Sequence, residues 1–551
     1  MKYLLNPKTL FLCLLMQFCL LKAHCQDILW EKSYGGKHAE FLFDAVATPD
    51  YGFVLAGSSI SNTNGNKTEK NQGDLDYWVW KMNEKGDLDW QKSFGGSGVD
   101  LLQSIKLTKD GGFVLAGTST SNKGLSKNED SKGDADFWII KLDAKGAVVW
   151  QKTIGGSGQE KLHSISKTLD GGYIIGGSSS SDKTEKDEKG IQDRYGKADD
   201  SRGNLDYWIV KLKEDGAIEW QKTIGGAYVD ELKSIEATKD GGYILGGYSN
   251  SPISGEKTEN NIGIGDYWVV KIDKIGTIEW QKTIGGDQDD NLFVLTQTND
   301  GGFIAGGNSN SGATDSKTKT NANGTDFWVI KMNSLGNILW QETYNYGKVD
   351  ILTSIVENDD GTFLIGGYAQ SEIPLNPKGG IAGKLKGSAD QEGINDYIAL
   401  KINAQGEEMW TKTVGSKGDE VLEKLIETRD GGYLLAGTSR GQVSRDKNST
   451  IGESDFWVVK LKDKTKPEEL KLTIEAIPNP AITFTNVIVN YDYTSGTARL
   501  YDLGGRLLLT VKINGEHTIP FDLSNLPQGI YVVSIDTDVK KEGIKIIKGI
   551  N

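Results

Sequence analysis

The sequence predicts an all-β chain: a seven-bladed β-propeller of four-stranded antiparallel blades, followed by a small C-terminal β-sandwich. Three observations carry this. Trp30, Trp90, Trp150, Trp220, Trp280, Trp340 and Trp410 recur at spacings of 60, 60, 70, 60, 60 and 70 residues, and a fixed period of that size marks one supersecondary unit copied along the chain. Each tryptophan closes a stretch like DYWVVKIDKIGTIEWQKTIGG at 266–286. There, two aromatic and β-branched runs flank a turn holding Gly276, the pattern of a hairpin. Glycine is abundant (70 of 551 residues) and proline scarce (10), which fits many tight turns between short strands.

The elements follow in order. Residues 1–25 read as a secretory signal: Lys2 and Lys8 make a basic start, 10–21 is apolar, and Ala23-His24-Cys25 offers a cleavage site that leaves Gln26 first. Acylation of Cys25 is the competing reading, but Lys22 and His24 stand where such a site takes small or apolar residues. Cys13, Cys19 and Cys25 all lie in this segment, so the exported chain carries no disulfide and no cysteine-held metal. Losing Lys2, Lys8 and Lys22 with it takes the formal charge from −14 to −17, which argues against nucleic acid or an anionic membrane as partner. No later stretch is apolar enough to span a membrane.

The repeats fill 26–462. One unit, read from the fourth, is a strand at 232–238, a tight turn at Asp240-Gly241-Gly242, a strand at 243–249, a polar loop to Gly265, and the hairpin. Four antiparallel strands per unit make a propeller blade. Six hairpins close complete blades. After Trp410 come only three strands, and the missing fourth matches LWEKSYGG at the other end. Strand 28–34 is therefore expected to complete a seventh blade and remove the open edges of the ring. This strand order puts the Asp-Gly-Gly turns and hairpin turns on one face, here the turn face. The long loops and blade-to-blade connections lie on the other. The long loops expand to 26 residues in repeats three (180–205) and six (370–395), on the face where loop variation usually serves binding.

The order Asp-aromatic-x-x-x-Lys-hydrophobic-x-x-x-Gly-x-x-x-Trp, then Gly-Gly, then Asp-Gly-Gly-Tyr-x-x-Gly-Gly, resembles the bacterial seven-bladed β-propeller repeats. Blade six departs from it at Ile398, where the others have tryptophan, and blade five at Glu342, where the others have lysine. The motif speaks for fold and says little about ligand.

Two acidic positions recur in every unit. Glu40, Asp100, Glu160, Asp230, Asp290, Asp350 and Glu420 precede the first strand, and Asp76, Asp136, Asp206, Asp266, Asp326, Asp396 and Asp455 open the third. The first set is expected to ring the mouth of the central channel. Such a ring suits Ca²⁺, which takes carboxylate and carbonyl oxygens; no other cofactor is indicated. The competing reading is that each carboxylate caps backbone N–H groups in its own loop. The loops GNKTEKNQGD (65–74), GEKTENNIGIGD (255–266) and DSKTKTNANGTD (315–326) are related. Copied loops either cover a neighbouring blade or repeat a weak site, giving avidity for a repetitive polymer. Trp78, Trp138, Trp208, Trp268, Trp328 and Trp457 are expected to pack between blades, where their area contributes most. Catalytic residues are not singled out. His38, His163 and His517 are the histidines left after the signal, the first two at unlike repeat positions, so neither a triad nor a histidine metal cluster is implied.

A charged linker with Pro467 spans 463–469, and seven short strand runs over 470–551 suggest a sandwich. This tail resembles the type A sorting domain of the type IX secretion system of Bacteroidota. The resemblance rests on Pro478-Asn479-Pro480, Tyr501-Asp502-Leu503-Gly504-Gly505-Arg506-Leu507, Leu526-Pro527-x-Gly529-x-Tyr531, and Lys545-Ile546-Ile547-Lys548. It implies engagement of the type IX machinery, passage across the outer membrane, removal of the tail, and a product anchored at the surface or released. The functional expectation is a secreted or cell-surface binding or scaffold protein using the long-loop face on a glycan or protein. The alternative is an enzyme, a hydrolase or lyase, acting on extracellular polysaccharide.

Overall fold

The third strand of each repeat reads like Asp76-Tyr-Trp-Val-Trp-Lys-Met82, which in blades one to five is buried along its whole length. Unbroken burial of a β-branched and aromatic run belongs to a strand covered on both faces. The hairpin arm beside it, Leu88–Phe94, alternates exposed and buried positions and forms the outer edge. The computed structural model describes residues 26–186, 189, 193–314, 316–322, 324–370, 395–464 and 472–549. The signal reading at 1–25, most of the linker 463–469 and the interior of the sixth long loop fall outside these.

Seven four-stranded antiparallel sheets follow one another. In blade one the strands run Glu40–Ala47, Phe53–Ser59, Asp76–Met82 and Leu88–Phe94, from the axis outward. Phe53 pairs with both Ala47 and Met82, so the turn after Ala47 and the hairpin turn after Met82 share a face. The seventh sheet takes three strands from 420–462 and its outer strand, Asp27–Tyr34, from the start of the chain, with Asp27 opposite Lys462 and Tyr34 opposite Phe456. Among the described residues, short parallel bridges stitch six of the seven blade junctions, and the bridge from Ala39 to Ser454 crosses the closing seam.

The core sits between blades. Seven hydrophobic clusters each combine two neighbouring sheets, the one at the seam joining Leu42, Phe53 and Trp78 of blade one to Tyr34, Leu434 and Phe456 of blade seven. The six repeated tryptophans are fully buried there. Tyr77 meets Trp138 at 4.8 Å between ring centroids, and its hydroxyl donates to the Trp138 carbonyl at 3.1 Å. Across the seam Phe456 meets Trp78 at 4.8 Å. Offset aromatic pairs of this kind add to simple area burial. Each tryptophan Nε1 donates to the glutamine of its own Trp-Gln pair, as Trp138 does to Gln151 at 3.1 Å. In blade seven the outer strand supplies Glu31 in that place, and Trp457 Nε1 donates to it at 2.6 Å.

The tail is a sandwich with one core. Three strands (Ile474–Ile477, Phe484–Val489, Thr518–Asp522) face four (Leu507–Ile513, Gly496–Asp502, Gly529–Thr537, Lys541–Lys548, in sheet order).

Candidate functional site

The first acidic set lies at the start of the inner strands, and all seven side chains are fully buried rather than lining a channel mouth. Each is engaged by its own loop. Glu40 accepts from Gly36 N at 2.9 Å and Ser59 Oγ at 2.9 Å. Asp100 accepts from Gly96 N and Ser121 Oγ, and Glu160 from Gly156 N and Ser179 Oγ. Asp230, Asp290, Asp350 and Glu420 each take the equivalent amide. Six of the third-strand aspartates do the same for the long loop, as when Asp266 accepts from Ile262 N at 2.7 Å. A buried carboxylate is stabilised by such donors. Among the described residues, no group of three or more His, Cys, Asp or Glu side chains is placed to hold a metal ion.

The two acidic sets meet between blades. Asp76 faces Asp100 of the next blade, Asp206 faces Asp230, Asp266 faces Asp290, and Asp455 faces Glu40 across the seam. The first glycine of each Gly-Gly pair sits at this junction. A Cβ at Gly155 would fall inside the carboxylate of Asp136 and crowd Glu160, so close approach explains the glycine. Burial, and then the facing Asp100, push Asp76 up to about 6; Asp266 is raised likewise.

The cation of this network was not identified from sequence. Lys67, Lys127, Lys197, Lys257, Lys317 and Lys447, all from the long loops, are buried among these acids. Lys127 donates to Ser119 Oγ at 2.8 Å and to the Ser121 carbonyl at 2.6 Å, between Asp100 and Asp136. Burial pulls all six amines down, Lys257 to about 8. A legible signal existed: each lysine follows its first-strand acid by 27 residues, or by 37 in blade three with its longer loop.

On the axis lies a cavity of about 270 Å³ lined by the seven inner strands. The second position after each first-strand acid is leucine in all seven blades, whereas the third reads Phe43, Gln103, His163, Lys233, Phe293, Thr353 and Glu423. Deeper in, Asp44 pairs with Lys424 at 3.5 Å and Lys106 at 3.8 Å and accepts from Ser104 Oγ at 3.0 Å. Burial, then Lys233 and Lys161, push His163 down to about 3, and burial pushes Glu423 up to about 8. Sequence alone does not mark these channel residues, because they differ from blade to blade and carry no period.

The tail motifs tie the last strand to the domain's start. Pro478 and Pro480 both follow cis peptide bonds. Asn479 donates to the Lys545 carbonyl at 2.8 Å and accepts from Ile547 N at 2.9 Å. Lys548 is buried, donating to the carbonyls of Leu523 and, at 2.7 Å, Leu526, while Lys545 faces solvent. Tyr531 donates to the Pro527 carbonyl at 2.6 Å. Gly504 and Gly505 make the turn between Gly496–Asp502 and Leu507–Ile513, with Gly505 at φ +78°. Gly529 opens the strand beside the last one.

Fold and tail together define a class: an all-β repeat propeller carrying an appended secretion domain. Residues 475–549 match the family described as "Secretion system C-terminal sorting domain", and such a domain directs secretion through the type IX system to the exterior or the cell surface. Among curated proteins, the chain is similar to the "Regulatory protein FlaEY" of Caulobacter vibrioides, 20% identical over 369 residues. That match covers 63% of this chain and 37% of that protein. Among solved structures, a fungal alcohol oxidase of the AA5 family in complex with copper is 9% identical with a TM-score of 0.40, over 95% of this chain and 100% of that one. A Synechocystis apocarotenoid oxygenase mutant is 12% identical with a TM-score of 0.34, over 78% and 95%. Nothing of their chemistry transfers at that distance.

Proposed function

We propose that this is a bacterial binding or scaffold protein of the Bacteroidota. The segment 1–25 sends it across the inner membrane, and the tail at 470–551 takes it through the type IX machinery. The propeller at 26–462 then acts at the cell surface or after release. Its ligand, a glycan or a protein, is met on the long-loop face and at the channel beneath it. One observation supports this most: inner strands that keep the acid and, two residues on, a leucine in all seven blades present six residue types to the channel at the next position. Scaffold copies held constant around a varied lining are the arrangement of a recognition surface. The long loops, folded over the buried lysines, serve as its walls. A glycan array probed with the chain from Gln26 onward tests this. Binding that falls about tenfold, or about 1.4 kcal/mol, in both Lys233→Ala and Glu423→Gln is the expected result. Silence on every glycan moves the reading to a protein partner, and binding untouched by both changes removes the channel from it.

A further inference from the structure

In six blades the turn after the inner strand carries glycine after its aspartate: Gly111, Gly171, Gly241, Gly301, Gly361 and Gly431, all with φ between +77° and +88°. Blade one has Tyr51 there, at φ +62°. A side chain kept in the left-handed region is held by its surroundings, and such positions gather where a residue has a job. Tyr51 is buried. Its ring lies 4.2 Å from the Arg429 guanidinium of blade seven, close enough for a cation–π contact. Its hydroxyl donates to Glu475 Oε1 at 3.0 Å. Arg429 pairs with the other Glu475 oxygen at 2.8 Å and also donates to the Pro49 carbonyl. Glu475 belongs to the first strand of the sorting domain, Ile474–Ile477. The equivalent of Arg429 in other blades is Pro49, Lys109, Leu169, Lys239, Asn299 or Asp359, so neither half of this contact is copied elsewhere in the ring. Nearby, Thr518 Oγ1 donates to Asp50 at 3.0 Å and Lys145 pairs with Glu516 at 2.9 Å.

Tyr51 and Arg429 stand at opposite ends of the repeat array and become neighbours only when the strand Asp27–Tyr34 completes blade seven. We infer that they form a docking seat for the sorting domain that exists only on a closed ring. The domain, seated through Glu475, clamps the seam between blades seven and one and couples its own placement to completed folding of its cargo. This holds whatever the propeller binds.

The chain from Gln26 onward has no cysteine, so a Lys145→Cys/Glu516→Cys pair bridged by a short bis-maleimide reports docking. That reporter is compared alone and with Tyr51→Gly, Arg429→Ala or Glu475→Gln. Tyr51→Gly keeps the residue that the other six turns use, and so keeps the fold. The expected result is a bridging yield about fivefold lower in all three. Amide exchange in 28–34 should also be about tenfold faster while the inner strand of blade four is unchanged, exchange being a direct readout of local opening. Bridging that survives Tyr51→Gly and Glu475→Gln overturns the seat, and unchanged exchange in 28–34 overturns the clamp.

Discussion

In six of the seven blades, both ends bury a lysine beside carboxylates among the described residues, and the two ends treat the charge in opposite ways. On the turn face, the strand lysine meets the turn aspartate directly: Lys81 with Asp50 at 3.0 Å, Lys141 with Asp110 at 2.9 Å, Lys331 with Asp300 at 2.9 Å, Lys460 with Asp430 at 2.7 Å. Despite desolvation, hydrogen bonds and the facing ammonium hold these aspartates low, Asp170 and Asp300 at about 2. On the long-loop face the amine donates to serine hydroxyls and carbonyls, one step removed from the acids. There desolvation wins, acids rise and lysines fall. The same residue types stabilise or strain a blade according to whether the opposite charges touch. A buried charge separated from its partner keeps most of its desolvation cost.

The largest expected effect breaks the long-loop network. Lys257→Met leaves Asp230 and Asp266 buried without a nearby ammonium, and should lower stability by about 3–5 kcal/mol at neutral pH. Urea unfolding at about pH 7.5 and about pH 5 should show a smaller loss at the acid pH, where the carboxyls take up protons. An equal loss at both would mean the acids do not carry the effect.

Next comes the pH dependence of the intact chain. Asp76, Asp266 and Asp396 have native values of about 6, above the ordinary 3.8. A carboxyl raised in this way adds stability below its unfolded value, and loses it as pH rises through the native one. The turn-face aspartates, lowered to about 2 in Asp170 and Asp300, add stability above the ordinary value and lose it as pH falls toward 2. These two sets should therefore place the stability maximum near about pH 4, with a decline toward pH 7 as the raised carboxyls ionise. Melting curves across that range check it, and a steady rise up to pH 7 would contradict the contrast between the faces.

A smaller effect is expected on the turn face. The Asp300 side chain is 59% exposed and rehydrates when its partner goes, so Lys331→Met should cost about 1 kcal/mol. The comparison fails if this loss matches that of Lys257→Met. Smallest of all, Ca²⁺ or a chelator should leave the melting temperature where it is, because a loop amide already binds one oxygen of each acid in the first set and no group of three or more acids converges among the described residues. A calcium-dependent rise would restore Glu40, Asp100, Glu160, Asp230, Asp290, Asp350 and Glu420 as a cation site.

The fold class was legible because a blade is made by neighbours in sequence. The hairpin at 266–286, the Asp240-Gly241-Gly242 turn and the copied leucine at 232 each state their own conformation within a few residues. The carboxylates stood out for the same reason. Lys127 did not, since an exposed-looking loop lysine reads the same whether it ends in water or under Trp138, from whose ring it lies 5.7 Å. The channel residues were hidden differently: Phe43, Lys233 and Glu423 share a lining only after seven inner strands have been bent round one axis.

By itself, then, the sequence determined the number of units, the strands within each, the acids at their corners and the tail that follows. Those depend on contacts spanning tens of residues, and a period repeats them. Tertiary structure alone decided which charges touch, what the axis presents and how Tyr51 comes to lie against Arg429 and Glu475. Such pairings span hundreds of residues, and they form only once the chain's first strand has joined its seventh sheet.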